Sequence, residues 1–154
     1  MGDHKIIYYP TRGYPNFGIS DPRFNDDIVS LGLNRQDINA ILSDESIDAK
    51  KMTKIALTYE RRIEMLNLEW RAAVDGNIYK QIEGSEYNLY RILVTKQPLN
   101  FRVIFAFFTA GDSEKIILLH AFKEGNKADY RRAIEKAENR GNALVNAGLV
   151  EWAD

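Results

Sequence analysis

The feature that most constrains the fold is a series of three apolar runs separated by short turns. The runs are YNLYRILVTK at 87–96, FRVIFAFF at 101–108 and KIILLHAF at 115–122. Connections this short join antiparallel neighbours, because a parallel pair needs a crossover of a dozen residues or more. The second half of the chain therefore predicts a three-stranded antiparallel meander.

The flanking segments predict one further strand and three helices. HKIIYY (4–9), stopped by Pro10, indicates an edge strand, and NRQDINAIL (34–42) a short helix capped by Asn34. Helix periodicity predicts a longer helix over 47–73, with Asp44 or Ser46 as its cap and Asp75-Gly76 at its end, and a last helix over 127–146. The apolar stripe of the helix over 47–73 consists of Met52, Ile55, Tyr59, Ile63, Leu66 and Trp70.

These elements predict an α+β fold in a single domain over residues 1–154. We expect an antiparallel sheet of about four strands, packed against an N-terminal helical pair, with a C-terminal helix. Residues 10–33, which hold three prolines, are predicted to be an irregular N-terminal insertion.

Composition narrows the classes of function. The chain has 154 residues, 45% hydrophobic and 28% charged, and no apolar run approaches the roughly 20 residues of a membrane helix. It has no cysteine, and its first residues do not resemble a secretory signal, so we expect a cytoplasmic protein. The formal net charge is −1, so any contact with nucleic acid must be local.

Two polar residues stand inside the apolar runs and are candidates for function. Arg102 interrupts the first residues of its strand, although alternation would also allow it to face solvent beside Ile104 and Ala106. His120 is the natural titrating group, although a histidine between apolar residues can also be buried, neutral and bonded to a backbone carbonyl.

Four segments in this order carry a resemblance to a known family. YKQIEGSEYNLYRI (79–92) is similar to a Leu-x-x-Arg-like signature and supplies Arg91, and FRVIFAF is similar to an aromatic-Arg-apolar strand. IILLHAF is similar to a strand ending in Leu-Leu-His-x-Phe, and IEKAENR (134–140) to a helix with Glu-x-Ala-x-x-Arg. Together they resemble the RelE/HigB/ParE superfamily of bacterial toxins, particularly its phage-derived branch, over roughly residues 47–140.

The resemblance implies the toxin of a type II toxin–antitoxin system that cuts messenger RNA, commonly on the ribosome, with no metal and no cofactor. In such a reaction the ribose 2′-OH attacks the adjacent phosphate, so the site needs cations beside the phosphate oxygens and groups that transfer protons. The candidates for this catalytic site are Arg91, Arg102, Lys123, His120 and Tyr130. Lys96, Lys127, Arg131 and Arg132 are candidates for RNA contacts. The implied partners are a helix-turn-helix antitoxin, messenger RNA and the ribosome, and a homodimer contact is also open.

Each candidate also has a structural interpretation. Arg91 can pair with a helix carboxylate, Lys123 can be a polar strand end, and Tyr130 lies on the apolar stripe of its helix. Arg131 and Arg132 can belong to a solvated helix face.

Two other functions remain open. One is a ParE-like inhibitor of DNA gyrase without catalytic residues, which the weak charge favours. The segment KEGNK favours it too, because the family usually has a run of lysines there. The other is a catalytically inert phage or mobile-element binding protein of the same fold, which the aromatic N-terminal segment favours. Two distant histidines without cysteine argue against a zinc site, and no nucleotide-binding glycine motif occurs.

Overall fold

The computed structural model describes residues 6–8, 28–30, 32–44, 46–96 and 99–153. In these residues the chain forms seven strands and three α-helices. In chain order they are β1 (Ile6–Tyr8), β2 (Ile28–Ser30), α1 (Gly32–Leu42), α2 (Ala49–Glu69), a 3₁₀ turn (Trp70–Ala73), β3 (Tyr79–Gln81), β4 (Tyr90–Leu93), β5 (Phe101–Ala110), β6 (Ser113–Lys123), α3 (Lys127–Asn146) and β7 (Glu151–Trp152).

All seven strands belong to one sheet in the order β1-β2-β6-β5-β4-β3, with β7 paired to β5. The predicted meander is confirmed as β4, β5 and β6, which pair antiparallel, as do β3 with β4 and β7 with β5. β1 pairs parallel to β2, and β2 parallel to β6. The prediction of about four strands was therefore too low, because it missed β2, β3 and β7, each only two or three residues long.

The N-terminal segment differs from the prediction where the structure describes it. The predicted edge strand is confirmed as β1, at the end of the strand order. Ile28–Ser30 forms β2 instead of irregular chain, because the edge of β6 offers it a pairing partner. Residues 10–27 and residue 31 lie outside the described residues, so the rest of that prediction is not tested.

The α+β class is confirmed, and the helices cover both faces of the sheet. Ile38 of α1 and Ile63 of α2 pack with Val103 and Phe105 on one face. Ala137 of α3 belongs to a second core on the opposite face. The terminal helix therefore covers the second face of the sheet instead of lying beside it. Burial on both faces explains why residues 101–108 form an uninterrupted apolar run apart from Arg102.

The predicted apolar stripe of α2 is confirmed, whereas the two ends of the helix differ from the prediction. Ile55, Tyr59, Ile63 and Leu66 are buried. The N-cap is Asp48, whose carboxylate accepts the Lys51 N–H at 2.8 Å, and not Asp44 or Ser46. The α-helix ends at Glu69 because Trp70 adopts a positive φ of 54°, which α-helical geometry does not allow.

The start of α1 differs from the prediction, whereas α3 starts where it was predicted. α1 begins at Gly32, so Asn34 lies inside the helix and is fully buried, and its predicted capping role is wrong. α3 runs over the predicted residues, and Asn126 and Asp129 form a reciprocal capping box at its start. None of the described helices is both long and apolar enough to cross a bilayer.

Candidate functional site

The strand register places Arg91 and Arg102 on the same face of the sheet. Arg91 of β4 lies opposite Ile104 of β5, and Arg102 lies two residues before Ile104 on the same strand. The two arginines are therefore diagonal cross-strand neighbours, a separation that long side chains bridge easily. Both face the side covered by α3, because Ile104 belongs to that core.

Arg102 is buried, with only 8% of its surface exposed, so the solvent-facing interpretation is wrong. Its Nη1 donates to the carbonyl oxygens of Thr95 and Phe101, and its Nη2 lies 3.4 Å from Oε2 of Glu124. Burial lowers the pKa of the guanidinium, the Glu124 carboxylate opposes that shift, and the charge of Arg91 adds to it. The side chain thus ties the end of β6 to the loop after β4.

Arg91 and Tyr130 meet above these groups. Arg91 donates from Nη1 to the carbonyl oxygen of Asn77 at 3.0 Å, and its charge acts on the phenol of Tyr130. Tyr130 is half-buried and packs edge-to-face on Phe122, with ring centroids 5.7 Å apart. Burial raises the pKa of the phenol, the charge of Arg91 opposes this, and the charge of Glu124 adds to it. At neutral pH Tyr130 is therefore a proton donor and not a base.

Local sequence fixes where Tyr130 stands. The Asn126 side chain accepts the Asp129 N–H at 3.0 Å, and the Asp129 carboxylate accepts the N–H groups of Gly125 and Asn126 at 3.0 and 3.1 Å. A Cβ on Gly125 would lie 2.7 Å from Oδ2 of Asp129, so a larger residue there would displace the capping carboxylate. The capping box therefore starts α3 directly beside the end of β6 and points its first turn at the arginines.

These groups line two adjoining cavities that form one groove between β3 and α3. The first has a volume of about 370 Å³ and is lined by Lys80, Gln81, Ile82, Glu83, Arg91, Arg102, Glu124 and Tyr130. The second, about 760 Å³, is lined by Glu83, Gly84, Asn100, Glu124, Gly125, Asn126, Lys127, Tyr130, Arg131 and Ile134. We call both together the β3–α3 groove. Five basic and two acidic side chains line it, whereas the whole chain carries a net charge of −1. Positive charge is therefore concentrated in this groove, which suits an anionic ligand.

The groove contains two residues that sequence reasoning missed. Lys80 lies directly opposite Arg91 in the β3–β4 pairing. Glu124 follows β6, where its carboxylate faces Arg102. The signal for Glu124 was its place inside KEGNK, which was interpreted only as the loss of a lysine. Lys80 had no local signal, because β3 is three residues long.

His120 lies outside the groove in a buried network of three elements. Its Nδ1 is 2.7 Å from Oδ2 of Asp37 in α1 and 3.3 Å from Nη1 of Arg140 in α3. Arg140 also donates to the same Asp37 oxygen at 2.6 Å and to the Leu119 carbonyl at 2.9 Å. Burial favours a higher pKa for Asp37, but the hydrogen bonds and charges of His120 and Arg140 outweigh it and lower the pKa. The histidine is thus paired with a carboxylate instead of a backbone carbonyl, and it fastens both helices to β6.

The remaining candidates divide between the groove and the surface. Lys127 and Arg131 line the wider cavity. Lys123 follows Phe122 on β6, so alternation turns it to the opposite face, where its Nζ lies 3.4 Å from Asp44. Lys96 and Arg132 are exposed outside the two cavities, and Arg132 pairs with Asp129. Lys123 and His120 are therefore not brought together with the arginines.

In the described part of the chain no group of three or more histidine, cysteine, aspartate or glutamate side chains is arranged to hold a metal ion. Comparisons with protein-family models, with curated proteins and with solved structures each found no match to this chain.

Proposed function

We propose that this protein is the toxin of a type II toxin–antitoxin system with RelE-like architecture, acting as a metal-independent endoribonuclease on messenger RNA at the ribosome. The observation that carries the proposal is the convergence of Arg91, Arg102, Glu124 and Tyr130 in one basic groove. Cations for a phosphate, a carboxylate and a protonated phenol are the groups that cleavage by a ribose 2′-OH requires.

Arg91 and Lys80 are the groups that would bind the scissile phosphate. They lie opposite each other on β4 and β3 at the open side of the groove, and the Lys80 side chain is exposed. A guanidinium binds two phosphate oxygens with its planar fork, and an ammonium adds a point charge. Both cations attract the phosphate more strongly in the transition state, because negative charge then builds on its oxygens.

Glu124 and Tyr130 would transfer the protons. The Glu124 carboxylate takes the proton of the 2′-OH while the 2′-oxygen attacks phosphorus. The bond from phosphorus to the 5′-oxygen breaks, and that oxygen takes the proton of the Tyr130 phenol. The products are a 2′,3′-cyclic phosphate and a 5′-hydroxyl, and solvent returns the proton from Glu124 to Tyr130. The raised pKa of Tyr130 supports its role as the donor.

Arg102 acts as a positioning residue in this scheme. Its Nη1 already donates to two backbone carbonyls, and its Nη2 faces Glu124. It therefore holds the carboxylate at the floor of the groove and contributes charge to the site. Lys127 and Arg131 extend the basic lining along the wider cavity, where the neighbouring phosphates of a single strand would lie.

The expected partners follow from this assignment. Messenger RNA on the ribosome is the substrate, and a helix-turn-helix antitoxin would inhibit by covering the β3–α3 groove. A protein with these partners would act in the cytoplasm.

A coupled transcription–translation extract tests the proposal. Wild type should stop protein synthesis and leave cut messenger, whereas Arg91→Ala should leave both intact. Lys136→Ala is the matched control, because Lys136 is exposed on α3 outside the groove and its loss removes the same charge. Intact messenger with wild type at micromolar concentration would contradict the nuclease assignment.

The alternative of a non-catalytic binding protein is favoured by one observation. Arg91 already donates to the carbonyl of Asn77, and Arg102 already has two carbonyls and Glu124 as partners. A protein of this kind would leave translation unharmed. A ParE-like member would instead block DNA gyrase, which a supercoiling assay detects directly.

A further inference from the structure

The exposed face of α2 carries an apolar stripe. Three large apolar residues are exposed in the described part of the chain, Leu57 at 47%, Met65 at 45% and Leu68 at 69%, and all three lie on α2. The opposite face of the same helix is buried against the sheet through residues such as Tyr59 and Ile63. α2 therefore buries one apolar face against the core and also exposes apolar side chains on its outer face.

The residues along the centre of this stripe have a heptad spacing. Leu57, Arg61, Glu64 and Leu68 follow one another at steps of 4, 3 and 4, which places all four on one line of the helix surface. Arg61 and Glu64 are both exposed and carry opposite charges. The line is thus apolar at both ends and charged, with opposite signs, in the middle.

This order is complementary to itself when two copies of the helix run antiparallel. A twofold axis midway between Arg61 and Glu64 sets Leu57 against the partner's Leu68, and Arg61 against the partner's Glu64. The leucine contact and the ion pair then each occur twice. A parallel pair would set arginine against arginine and glutamate against glutamate, which like-charge repulsion disfavours.

We propose that α2 is a homodimer interface, in which a second copy of this chain docks antiparallel along the line from Leu57 to Leu68. Charge complementarity identifies the occupant, because the stripe presents to its partner the order of residues that it would itself bind. The leucines supply the apolar contact and the central ion pairs fix the direction and register. The interface uses the outer face of α2 and does not use residues of the β3–α3 groove.

Charge reversal tests this interface with substitutions at exposed positions. The assay is sedimentation velocity across a concentration series of the full chain, whose single-copy mass is 17.7 kDa. Wild type should form a species of twice that mass. Arg61→Glu and Glu64→Arg, each alone, should weaken the dimer by about tenfold or more, because like charges then meet at its centre.

Combining the two charge reversals, in a mixture or in one chain, provides the decisive test. An equimolar mixture of the two single variants should form a heterodimer, because both of its ion pairs then join opposite charges. The substituted side chains at positions 61 and 64 pair with each other, and the unchanged Glu64 of the first variant pairs with the unchanged Arg61 of the second. The double variant R61E/E64R should recover the homodimer for the same reason. Lys136→Glu on α3 makes the same charge change as Arg61→Glu outside the stripe and should leave the wild-type dimer unchanged.

The proposal is overturned if wild type stays at 17.7 kDa at every concentration, as it would if another protein covers the stripe. The proposal is also overturned if the two single variants dimerise as strongly as wild type, since another face would then form the dimer. Failure of both the mixture and the double variant to recover the dimer would exclude the antiparallel register.

Discussion

Replacing Arg102 with alanine should destabilise the protein far more than replacing Arg91. Arg102 is 8% exposed, and its loss removes the guanidinium donor of the Thr95 carbonyl. The Phe101 carbonyl, in contrast, keeps the Val94 and Thr95 N–H groups as donors at 3.0 and 3.3 Å. One buried acceptor that loses its donor costs about 1–3 kcal/mol.

Two further contributions set the total. Glu124 would lose its ion-pair partner, but a third of its side chain is already exposed and water can replace the guanidinium. The buried stem of Arg102 also packs, and its removal enlarges a cavity that opens to solvent. We therefore expect Arg102→Ala to lower the free energy of unfolding by about 2–3 kcal/mol. Arg91→Ala, at a partly exposed position, should lower it by about 1 kcal/mol or less.

Urea unfolding followed by circular dichroism measures both values. The reasoning is refuted if Arg102→Ala unfolds at the wild-type urea concentration, or if Arg91→Ala is as destabilised as Arg102→Ala. The difference matters for function, because an inactive Arg102→Ala protein can be inactive through partial unfolding. Arg91→Ala is consequently the better test of phosphate binding.

Three shorter predictions follow from other parts of the structure. Gly141→Ala should destabilise by about 1–3 kcal/mol despite the better helix propensity of alanine. Its Cβ would clash with the indole of Trp152, a ring that packs against the rings of Tyr87 and Phe108, and thermal unfolding measures the loss. The lowered pKa of Asp37 means that its contribution to stability is present above its unfolded pKa of about 3.9 and is lost as pH falls through the folded pKa. Asp37→Asn should therefore flatten the dependence of stability on pH in acid, and an unchanged profile would exclude the network with His120. Ultraviolet titration of wild type against Tyr130→Phe should show Tyr130 ionising above pH 10, whereas ionisation below that value would rule it out as the proton donor.

The parts of the fold that sequence predicts are those with a local signal. Periodicity located α2 and α3, and short turns identified the meander of β4, β5 and β6. β2, β3 and β7 are two or three residues long and exist only through their pairing partners, so no local pattern could show them. The buried state of Arg102 also depends on a non-local feature, because α3 covers the face that alternation alone would leave to solvent.

The candidate site was predicted in part for the same reason. The sequence predicted that Arg91 and Arg102 lie on adjacent antiparallel strands, and the register of the β4–β5 pairing, which only the structure shows, places both on one face. Lys123 was expected there too, although the alternation of side chains after Phe122 sends it to the other face. The partner of His120 could not be predicted, since Asp37 lies 83 residues away on another element.

The chemistry of the cut RNA ends tests the central proposal most directly. Messenger recovered from the translation extract is treated with and without a phosphatase that removes cyclic phosphates, and its new 3′ ends are mapped for wild type and for Glu124→Gln. We predict a 2′,3′-cyclic phosphate at the cut made by wild type, and uncut messenger with Glu124→Gln. A 3′-hydroxyl at the cut, or equal cleavage by the two proteins, would contradict the assignment of the β3–α3 groove.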